Sequence, residues 1–435
     1  MISAREAALK TLISFRRDGA WPDLFLKSTL KFFSKEDSAF ASELAYGVLE
    51  HLYLLDFYIS AFSSIKIKKI MPQVLDAIRC GVYQILYMDR VPLYAAVNET
   101  VSLVKKYSNT RASSFCNAIL HKIAENKNAL PQPEDPAVLY SCSQWFVDKL
   151  TASLGTKGCI DFLKSCEVRP KTYIRVNSLL TSSDVLISDL EKAEISVSKV
   201  NGLDDALVCP ESEALAYTEL FRKGFFYIQD ASSQLSINVL APQPGDFVID
   251  MCAAPGGKSF LAAQLMQNRG IIKSYDLYHH KTEIIKKGAD RLSISVIEAA
   301  CADSSVFMPE LSESADKIIC DVPCSGMGII RKKPDIRYKT EKDIKDLPII
   351  QRKILENAAL YLKPGGRMVY STCTVLNEEN EDVVRSFLDE HSDFYLIPFE
   401  NGFFGRSDGM ITLYPHLNDC DGFFISLLGR KQNGR

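Results

Sequence analysis

The 435-residue sequence predicts an α/β protein built from an all-helical bundle, a small α+β module and a larger α/β domain. Apolar residues recur at three- and four-residue spacing through the front of the chain, which predicts helices. Proline-rich stretches then interrupt the chain twice. Beyond residue 247 short apolar runs alternate with helical patterns, which is typical of a parallel sheet covered by helices. We therefore predict domains at 1–132, 137–240 and 241–435.

The first domain is predicted to be helical because its apolar residues lie about one helical turn apart. It ends at LPQPEDP, 130–136, whose three prolines cannot continue a helix and suit a linker. The apolar positions that carry the pattern include Leu44, Val48, Leu52, Leu55 and Ile59, and further along Val97, Val101 and Val104.

The middle domain combines strand and helix patterns. TYIRVNSL, 172–179, alternates like a strand, and TSSDVLISDLEKAEI, 181–195, opens with hydroxyl residues that cap helices. SVSKVNGLDDALVC, 196–209, returns to a strand-like pattern, and APQPGD, 241–246, ends the module. A small α+β fold is the prediction.

Five strands are predicted in the last domain, each followed by a helix or loop, and DGFFISLL, 421–428, is predicted as a final strand. A helix is predicted from Glu378 to Glu390, with acids in its first turn. The five predicted strands are FVIDM at 247–251, IIKSYD at 271–276, SISVIEA at 293–299, KIICD at 317–321 and RMVYS at 367–371.

Composition excludes several classes of protein. A hydrophobic content of 47% with 24% charged residues is ordinary for a globular chain, and the net charge of −3 creates no field that recruits nucleic acid. Twelve cysteines without a C-x-x-C pair, and six histidines, argue against a zinc site or a disulfide framework. The charged start MISAREAALK does not resemble a signal peptide, and no apolar run predicts a membrane span. We therefore expect the protein to be located in the reducing cytoplasm, where free thiols are tolerated.

Glycines and carboxylates follow the predicted strands, where open α/β sheets bind ligands. The first strand leads into CAAPGGKS, in which Gly256 and Gly257 permit close approach of a ligand to the backbone. Asp276 lies twenty residues beyond Gly256, at the spacing of a ribose-binding carboxylate, and Asp303 could accept from an adenine amino group. This order predicts an adenosine-bearing cofactor. The loop has neither the nicotinamide pattern G-x-G-x-x-G nor a true P-loop.

Two cysteines also follow strands in polar surroundings. Cys324 lies in DVPCSG after Asp321, and Cys373 lies in YSTCT. Adjacent strand ends could bring both thiols into one pocket. A free thiol is only a few per cent thiolate at neutral pH, so a nearby cation is needed, and Lys258 and Arg331 are candidates. Other cysteines are interpreted as inert small apolar residues, namely Cys80, Cys116, Cys159, Cys301 and Cys320.

DMCAAPGGKS, DVPCSGMGIIRKKPDIRY and YSTCT resemble the motifs of RNA cytosine-C5 methyltransferases that use S-adenosylmethionine. DSAFASELAYGVLEHLYLLD and VPLYAAVNETVSLVKKYSNTRASSFCNAILHKI resemble the NusB-like domain of the Sun/Fmu branch, and FYIQDASSQL, 226–235, is similar to that branch too. These resemblances together cover nearly the whole chain. Lys333 and Tyr338 depart from the more usual His and Trp, and DGFFISLL lacks a usual basic residue.

The resemblance implies a fold, a cofactor and a substrate. The fold would be a Rossmann-like class I S-adenosylmethionine-dependent methyltransferase sheet, preceded by the α+β module and an all-α NusB-like RNA-binding bundle. The cofactor would be S-adenosyl-L-methionine, with no metal and no membrane contact. The substrate would be a cytosine of 16S ribosomal RNA, position 967, in free RNA or an early small-subunit intermediate.

The resemblance also implies residue roles. Cys373 would attack carbon 6 of cytosine, and Cys324 would help to remove the carbon 5 proton. Asp321 would stabilise charge on the ring, and Lys258 would hold the loop and pocket, which a flipped base enters. The residues expected to bind the cofactor are Cys252, Ala253, Ala254, Pro255, Gly256, Gly257, Lys258, Asp276, Asp303 and Asp321.

Contacts to RNA are expected from basic residues near Cys324, because phosphate contacts dominate RNA affinity. These residues are Arg331, Lys332, Lys333 and Arg337, with Arg175 in the middle module.

Three alternatives remain open from sequence. The enzyme could methylate another RNA, such as 23S ribosomal RNA or tRNA. A thiol hydrolase would need a histidine in the strand-end motifs, and none of the six histidines lies there. A non-catalytic RNA-binding or antitermination protein would suit the front domain alone.

Overall fold

A computed structural model of the protein describes residues 2–19, 21–210 and 215–432. The chain divides into two compact units. The first contains Met1–Glu167 and a short later segment, Lys333–Thr340. The second contains Val168–Lys332 and Glu341–Arg435. Across the described ranges, no helix is long and apolar enough to cross a membrane.

The first unit is helical, as the periodic apolar residues predict. Leu44, Val48, Leu55 and Ile59 are buried in its core. Its helices are α1 (Ala4–Asp18), α2 (Pro22–Thr29), α3 (Lys35–Glu50), α4 (Leu52–Phe62), α5 (Pro72–Tyr87), α6 (Leu93–Tyr107), α7 (Thr110–Glu125), α8 (Pro136–Leu139) and α9 (Gln144–Ser165), with a 3-10 helix at Pro334–Tyr338.

The 3-10 helix at Pro334–Tyr338 joins this unit from a distant part of the sequence. Arg337 is 2% exposed and donates from Nη1 to the carbonyl of Tyr140 at 2.8 Å and from Nη2 to that of Cys166 at 3.0 Å. The hydroxyl of Tyr338 donates to the carbonyl of Leu49 at 2.5 Å. These bonds satisfy carbonyl groups near helix ends, which need partners when they are buried.

The second unit begins with an antiparallel sheet in the order β2-β3-β1-β4. The helix predicted at 181–195 forms as Ser183–Lys192, capped by Ser182, whose hydroxyl accepts from the Val185 N–H. The strands and helices of this module are β1 (Thr172–Val176), α10 (Ser183–Lys192), β2 (Ser198–Lys199), β3 (Ala206–Cys209), α11 (Glu219–Arg222) and β4 (Phe226–Ile228).

The large sheet has the order β10-β14-β9-β8-β5-β6-β7, with β13 also paired to β14. Its elements are α12 (Ala231–Leu240), β5 (Phe247–Asp250), α13 (Gly257–Leu265), β6 (Ile271–Asp276), α14 (His279–Arg291), β7 (Ile297–Cys301), β8 (Ala315–Asp321), α15 (Glu341–Ile344), α16 (Leu347–Tyr361), β9 (Leu362–Thr372), α17 (Glu381–Glu390), β10 (Phe394–Leu396), β11 (Phe399–Asn401), β12 (Gly405–Ser407), β13 (Met410–Leu413), α18 (Pro415–Asn418) and β14 (Phe423–Arg430).

The five strands from β5 to β9 are parallel, whereas β14 joins β9 antiparallel. Strand β5 pairs with β6 on one side and β8 on the other, so the chain reverses its direction of winding beside β5. Such a switch point leaves a crevice at the carboxyl ends of the strands. The predicted α/β fold class with a helical front is confirmed.

Two details of the sheet differ from the sequence prediction. The third strand starts at Ile297 rather than at residue 293, because Ser293 has a φ of 58° and belongs to the turn after α14. Strand β7 lies at the edge of the sheet, and its last residue, Cys301, is exposed. Its exposure sets Cys301 apart from the other cysteines interpreted as inert apolar residues, Cys80, Cys116, Cys159 and Cys320, which are buried.

Candidate active site

A pocket of about 300 Å³ opens at the carboxyl ends of β5, β8 and β9. The loop after β5, Cys252–Pro255, forms one wall together with Lys258. Asp321 follows from β8 and Cys373 from β9. Because these strands are neighbours in the sheet, their following loops meet at one edge. The structure thus brings together three of the four predicted catalytic residues with part of the predicted cofactor loop.

The loop after β5 makes a sharp turn into α13 without a side-chain cap. Gly256 has a φ of 111°, and a Cβ there would lie 2.4 Å from the ring of Phe260. A Cβ at Gly257 would lie 3.2 Å from Nε2 of Gln229. Glycine is required at Gly256 both by the left-handed backbone and by the lack of space. The free N–H groups at the start of α13 suit an anionic or polar ligand.

Asp250, the last residue of β5, is fully buried beneath this loop. Its Oδ2 accepts from the Ser259 hydroxyl at 2.6 Å, and that hydroxyl lies 2.8 Å from Ser274 Oγ. Burial, with a smaller contribution from the charge of Asp321, raises the pKa of Asp250 to about 7 although the hydrogen bond from Ser259 opposes the shift. The site therefore holds a carboxyl group that titrates near neutral pH.

Asp276 ends β6 and Asp303 follows β7, and these are the next strands along the same edge. Asp276 accepts from the N–H of Ala254 at 3.3 Å and from that of Tyr278 at 3.2 Å, so it braces the glycine loop. Asp303 is exposed and accepts from the N–H of Ser305 at 2.9 Å. Carboxylates on two successive strand ends beside a glycine cradle fit the hydroxyl and amino groups of an adenosine cofactor.

Lys258 and Asp321 form an ion pair in the pocket. The distance from Nζ to Oδ2 is 2.7 Å, with side chains 11% and 29% exposed. The other carboxylate oxygen accepts from the Ser371 hydroxyl at 2.8 Å, and Lys258 Nζ lies 5.2 Å from the centre of the Phe423 ring. These contacts fix the orientation of a carboxylate and an ammonium group side by side.

Cys324 and Cys373 face each other with their sulfur atoms 3.2 Å apart, and both are partly exposed. The loops that carry them are joined by a bond from the Gly328 N–H to the Cys373 carbonyl at 3.0 Å. A bond of 2.8 Å from Ser325 Oγ to Thr374 Oγ1 joins them again. The sequence motifs after two strands therefore meet as one pair of thiols.

The pKa of Cys324 is raised well above its ordinary value. Its hydrogen bond with Cys373 is the largest cause, followed by burial and by the negative charges of Cys373 and Glu379. Cys324 therefore stays a protonated thiol at neutral pH, and its S–H can donate to the sulfur of Cys373. Lys258 and Arg331, the cations considered for thiol activation, are instead paired with Asp321 and Asp421.

Glu379 was not identified from sequence, although it lies only six residues after Cys373. It is 1% exposed, and Oε2 accepts from the Ser325 N–H at 2.8 Å and from Gln351 Nε2 at 2.9 Å. Gln351 also donates to the Pro323 carbonyl at 3.0 Å. The carboxylate therefore holds the loop of Cys324 on both sides of that residue. Its acidic neighbours in the sequence are typical of an exposed segment, so the local pattern does not predict that Glu379 is buried.

A charged network that sequence reasoning missed lines another side of the pocket. Lys332 Nζ lies 2.8 Å from Asp230 Oδ2 and 2.7 Å from Asp421 Oδ2. Although burial opposes ionisation, Lys332 and further hydrogen bonds lower the pKa of Asp230 to about 2. Burial, reinforced by the charge of Asp230, raises the pKa of Asp421 to about 7. These acids lie nearly 200 residues apart, so no local pattern links them.

The residues expected to contact RNA lie in different settings. Arg331 is 8% exposed, with Nε 3.5 Å from Asp421 Oδ1. Lys332 is paired with Asp230 and Asp421. Arg175 is 2% exposed; it donates to the Asp204 carbonyl and, at 3.3 Å, to Gln264 Oε1.

In the first unit, Arg337 is buried on carbonyl groups, whereas Lys333 is exposed. Arg337 and Arg175 are each 2% exposed, so neither guanidinium lies at the protein surface.

Comparisons with known proteins agree with the geometry. Residues 237–429 match the family described as 16S rRNA methyltransferase RsmB/F, and residues 2–125 match the NusB family. Residues 142–213 match the ferredoxin-like domain of RsmF/B-like methyltransferases. In the described part of the chain, no cluster of three or more His, Cys, Asp or Glu residues could hold a metal ion.

Full-length relatives and solved structures are also similar to this chain. The probable ribosomal RNA small subunit methyltransferase B of Bacillus subtilis is 35% identical, with 99% of each chain covered. The crystal structure of PH0851 has a TM-score of 0.81 and 26% identity, with 98% of this chain and 99% of that one covered. A methyltransferase homologue from Pyrococcus horikoshii has a TM-score of 0.59 and 32% identity, with 66% of this chain and 95% of that one covered.

Proposed function

Because the chain belongs to the ribosomal RNA small subunit methyltransferase B family, an RNA cytosine-5 methyltransferase family, we propose that it methylates cytosine 967 of 16S ribosomal RNA through a covalent intermediate on Cys373. The observation that carries this proposal is the distance of 3.2 Å between the sulfur atoms of Cys324 and Cys373. Two thiols in contact at adjacent strand ends fit a reaction that needs one group to attack and another to release.

The first step is addition of the Cys373 thiolate to carbon 6 of the cytosine. Carbon 5 is a poor nucleophile until a group adds at carbon 6, so a covalent bond there converts one hard step into easier ones. The high pKa of Cys324 keeps its proton in place, and its S–H can donate to the Cys373 thiolate across 3.2 Å. This assignment makes Cys373 the nucleophile.

The second role falls to Cys324 after the methyl group has been transferred. Once Cys373 sulfur is bonded to carbon, it is a neutral thioether, which weakens the hydrogen bond that is the largest cause of the raised Cys324 pKa and removes the charge of Cys373. Cys324 then gives its own proton to solvent, and the resulting thiolate takes the proton from carbon 5. The electrons of that C–H bond re-form the carbon 5–carbon 6 double bond, and the bond to Cys373 breaks with its electrons leaving on the sulfur as a thiolate. The methylated base leaves and Cys373 is again free.

In this proposal Lys258 and Asp321 stabilise the charge that develops on the ring. The carboxyl group of Asp321 is fixed by Ser371 and Lys258, so its orientation needs no rearrangement during the reaction. A target base must be turned out of its stack to reach a pocket of this kind.

S-adenosylmethionine, when bound, supplies a methyl group on a positively charged sulfur. We assign its binding to the loop Cys252–Gly257 and Lys258, with Asp276 and Asp303 holding its adenosine and Asp321 at the reacting end. The glycine cradle and the carboxylates on successive strand ends support this assignment.

RNA affinity is assigned to exposed basic residues rather than to every basic residue near Cys324. Lys333 is exposed, and Lys332 is partly exposed although it binds two carboxylates. Arg331, Arg337 and Arg175 serve the protein interior in this assignment. The NusB-like front supplies further RNA surface, and the cytoplasm is the place of action.

Transfer of tritiated methyl groups from S-adenosylmethionine to RNA tests the function. We expect incorporation into 16S transcripts or early small-subunit particles, and bisulfite sequencing should map it to one cytosine. Incorporation into 23S ribosomal RNA or tRNA alone would show that this RNA, and not 16S ribosomal RNA, is the substrate. No incorporation into any of these RNAs would reject methylation and leave a thiol hydrolase or a non-catalytic RNA-binding protein.

A further inference from the structure

Gln229 has a side-chain amide without a partner at the pocket wall. It is 7% exposed, and both Nε2 and Oε1 are buried without a hydrogen bond in the described structure. Buried amides normally have partners, since an unpaired donor or acceptor loses its bonds to water. Because Gln229 also lines the pocket, a bound molecule can supply both missing bonds.

The position of this amide is fixed by the backbone around it. The Gln229 N–H donates to the Tyr173 carbonyl at 3.1 Å, and the Gln229 carbonyl accepts from Gln234 Nε2 at 3.0 Å. The next residue, Asp230, caps α12 by accepting from the Ser232 N–H at 3.1 Å. The main chain is therefore held firmly while the side chain keeps its hydrogen-bonding capacity.

The neighbouring polar groups are already engaged. Asp230 and Asp421 share Lys332, and Asp321 pairs with Lys258. Asp421 and Asp250 each keep one oxygen without a hydrogen bond, but a carboxyl group changes between donor and acceptor with its protonation state. Gln229 offers a neutral donor and a neutral acceptor together, which matches a molecule that itself presents both.

Resting on the proposed function, we infer that Gln229 is a further substrate-binding residue that contacts the edge of the target cytosine. Cytosine presents an amino donor at N4 and acceptors at N3 and O2, so Oε1 and Nε2 of one amide can both be used. The pocket that Gln229 lines also contains Cys373, Lys258 and Asp321. The lining also includes Gly257 of the loop assigned to the cofactor; Cys373 at the same pocket and the paired donor and acceptor of the amide favour the base.

The test compares Gln229→Leu, which removes both polar groups at similar size, with Gln229→Glu, which keeps only acceptors. Gln243→Leu is the control, because Gln243 is exposed and its amide donates to the Ala241 carbonyl outside the pocket. Initial rates are measured against RNA and against S-adenosylmethionine, cofactor binding is measured by calorimetry, and folding is checked by thermal melting.

We expect Gln229→Leu to lower kcat/KM for RNA by about tenfold or more, with the cofactor Kd within about twofold of wild type. Gln229→Glu should show a smaller loss, and Gln243→Leu none. An equal loss of cofactor binding would overturn the inference and place Gln229 in the cofactor site. Unchanged kinetics would overturn it too. If Gln229→Leu fails to melt cooperatively, Gln229→Glu decides by the same criteria. Wild-type protein without methyl transfer to any RNA would reject the proposed function itself.

Discussion

Lys258 Nζ lies 2.7 Å from Asp321 Oδ2, at the edge of a pocket that Cys373 also lines. The ammonium group comes from the first turn of α13 and the carboxylate from the end of β8, so the pair links two neighbouring strand ends. Because the pair is partly buried, each charge depends on the other for its compensation. Removing one residue leaves the other as a partly buried charge without its ion-pair partner.

Lys258→Met is expected to reduce methyl transfer by about a hundredfold or more, because charge on the ring would lose its preorganised partner. The free energy of unfolding should fall by about 1–3 kcal/mol, the range for a charged hydrogen bond. Lys286→Met is the control, since Lys286 pairs with Glu283 at the surface and should change stability by less than about 1 kcal/mol. Activity and urea denaturation measure both effects. Wild-type activity in Lys258→Met would contradict the role of the pair.

Cys373→Ala should lose activity by about a thousandfold or more and form no covalent bond with RNA, because the attacking thiol is absent. Cys324→Ala should instead accumulate a protein–RNA adduct on denaturing gels, because the carbon 5 proton is not removed and Cys373 stays bonded. Cys301→Ser, which alters an exposed thiol at the sheet edge, should behave like wild type. An adduct with Cys373→Ala and none with Cys324→Ala would mean that the two roles are reversed.

Arg337→Met should lower the free energy of unfolding by about 3 kcal/mol, because two buried carbonyl groups lose charged donors. Lys333→Ala, in the same segment but exposed, should change it by less than about 0.5 kcal/mol. Denaturation and RNA binding are measured for both variants. A stable Arg337→Met protein with weak RNA binding would restore Arg337 as an RNA contact.

Gly256→Ala should weaken S-adenosylmethionine binding and lower stability, because a Cβ would lie 2.4 Å from the Phe260 ring at a φ of 111°. Gly245→Ala is a matched control: its φ is 97°, but a Cβ there meets nothing within 4 Å. The control should lose only about 1 kcal/mol for the backbone conformation and keep full cofactor affinity. Calorimetry separates the two effects. Equal affinities in both variants would argue against a cofactor cradle at Gly256.

Asp250 predicts a pH dependence of stability. Its pKa is raised to about 7 by burial, so the folded state holds a proton that the unfolded chain has already released above pH 4. The contribution of Asp250 is therefore fully present in acid and is lost as the pH rises toward 7. Asp250→Asn should become more stable relative to wild type between pH 5 and about pH 8, as urea denaturation at each pH would show. A constant difference would contradict the raised pKa.

The strand ends that carry the site could be predicted from sequence because their evidence is local. IIKSYD forms β6 with the predicted bounds, and Asp321, Cys324 and Cys373 follow β8 and β9 as expected. The partners of Lys332 and Arg337 could not be predicted, since both depend on contacts with residues far away in the chain. The basic run that contains them is typical of a solvated surface, yet tertiary contacts bury Arg331 and Arg337 at its two ends.

The segment Lys333–Thr340 also constrains the order in which the protein can assemble during translation. The first unit includes residues made long after Glu167, so a nascent chain that ends there lacks the buried guanidinium of Arg337 and the hydroxyl of Tyr338. Helices α1 to α9 can collapse early, but their unit is complete only when much of the second unit has been synthesised. The first unit therefore reaches its final fold only after the ribosome has synthesised residues 333–340.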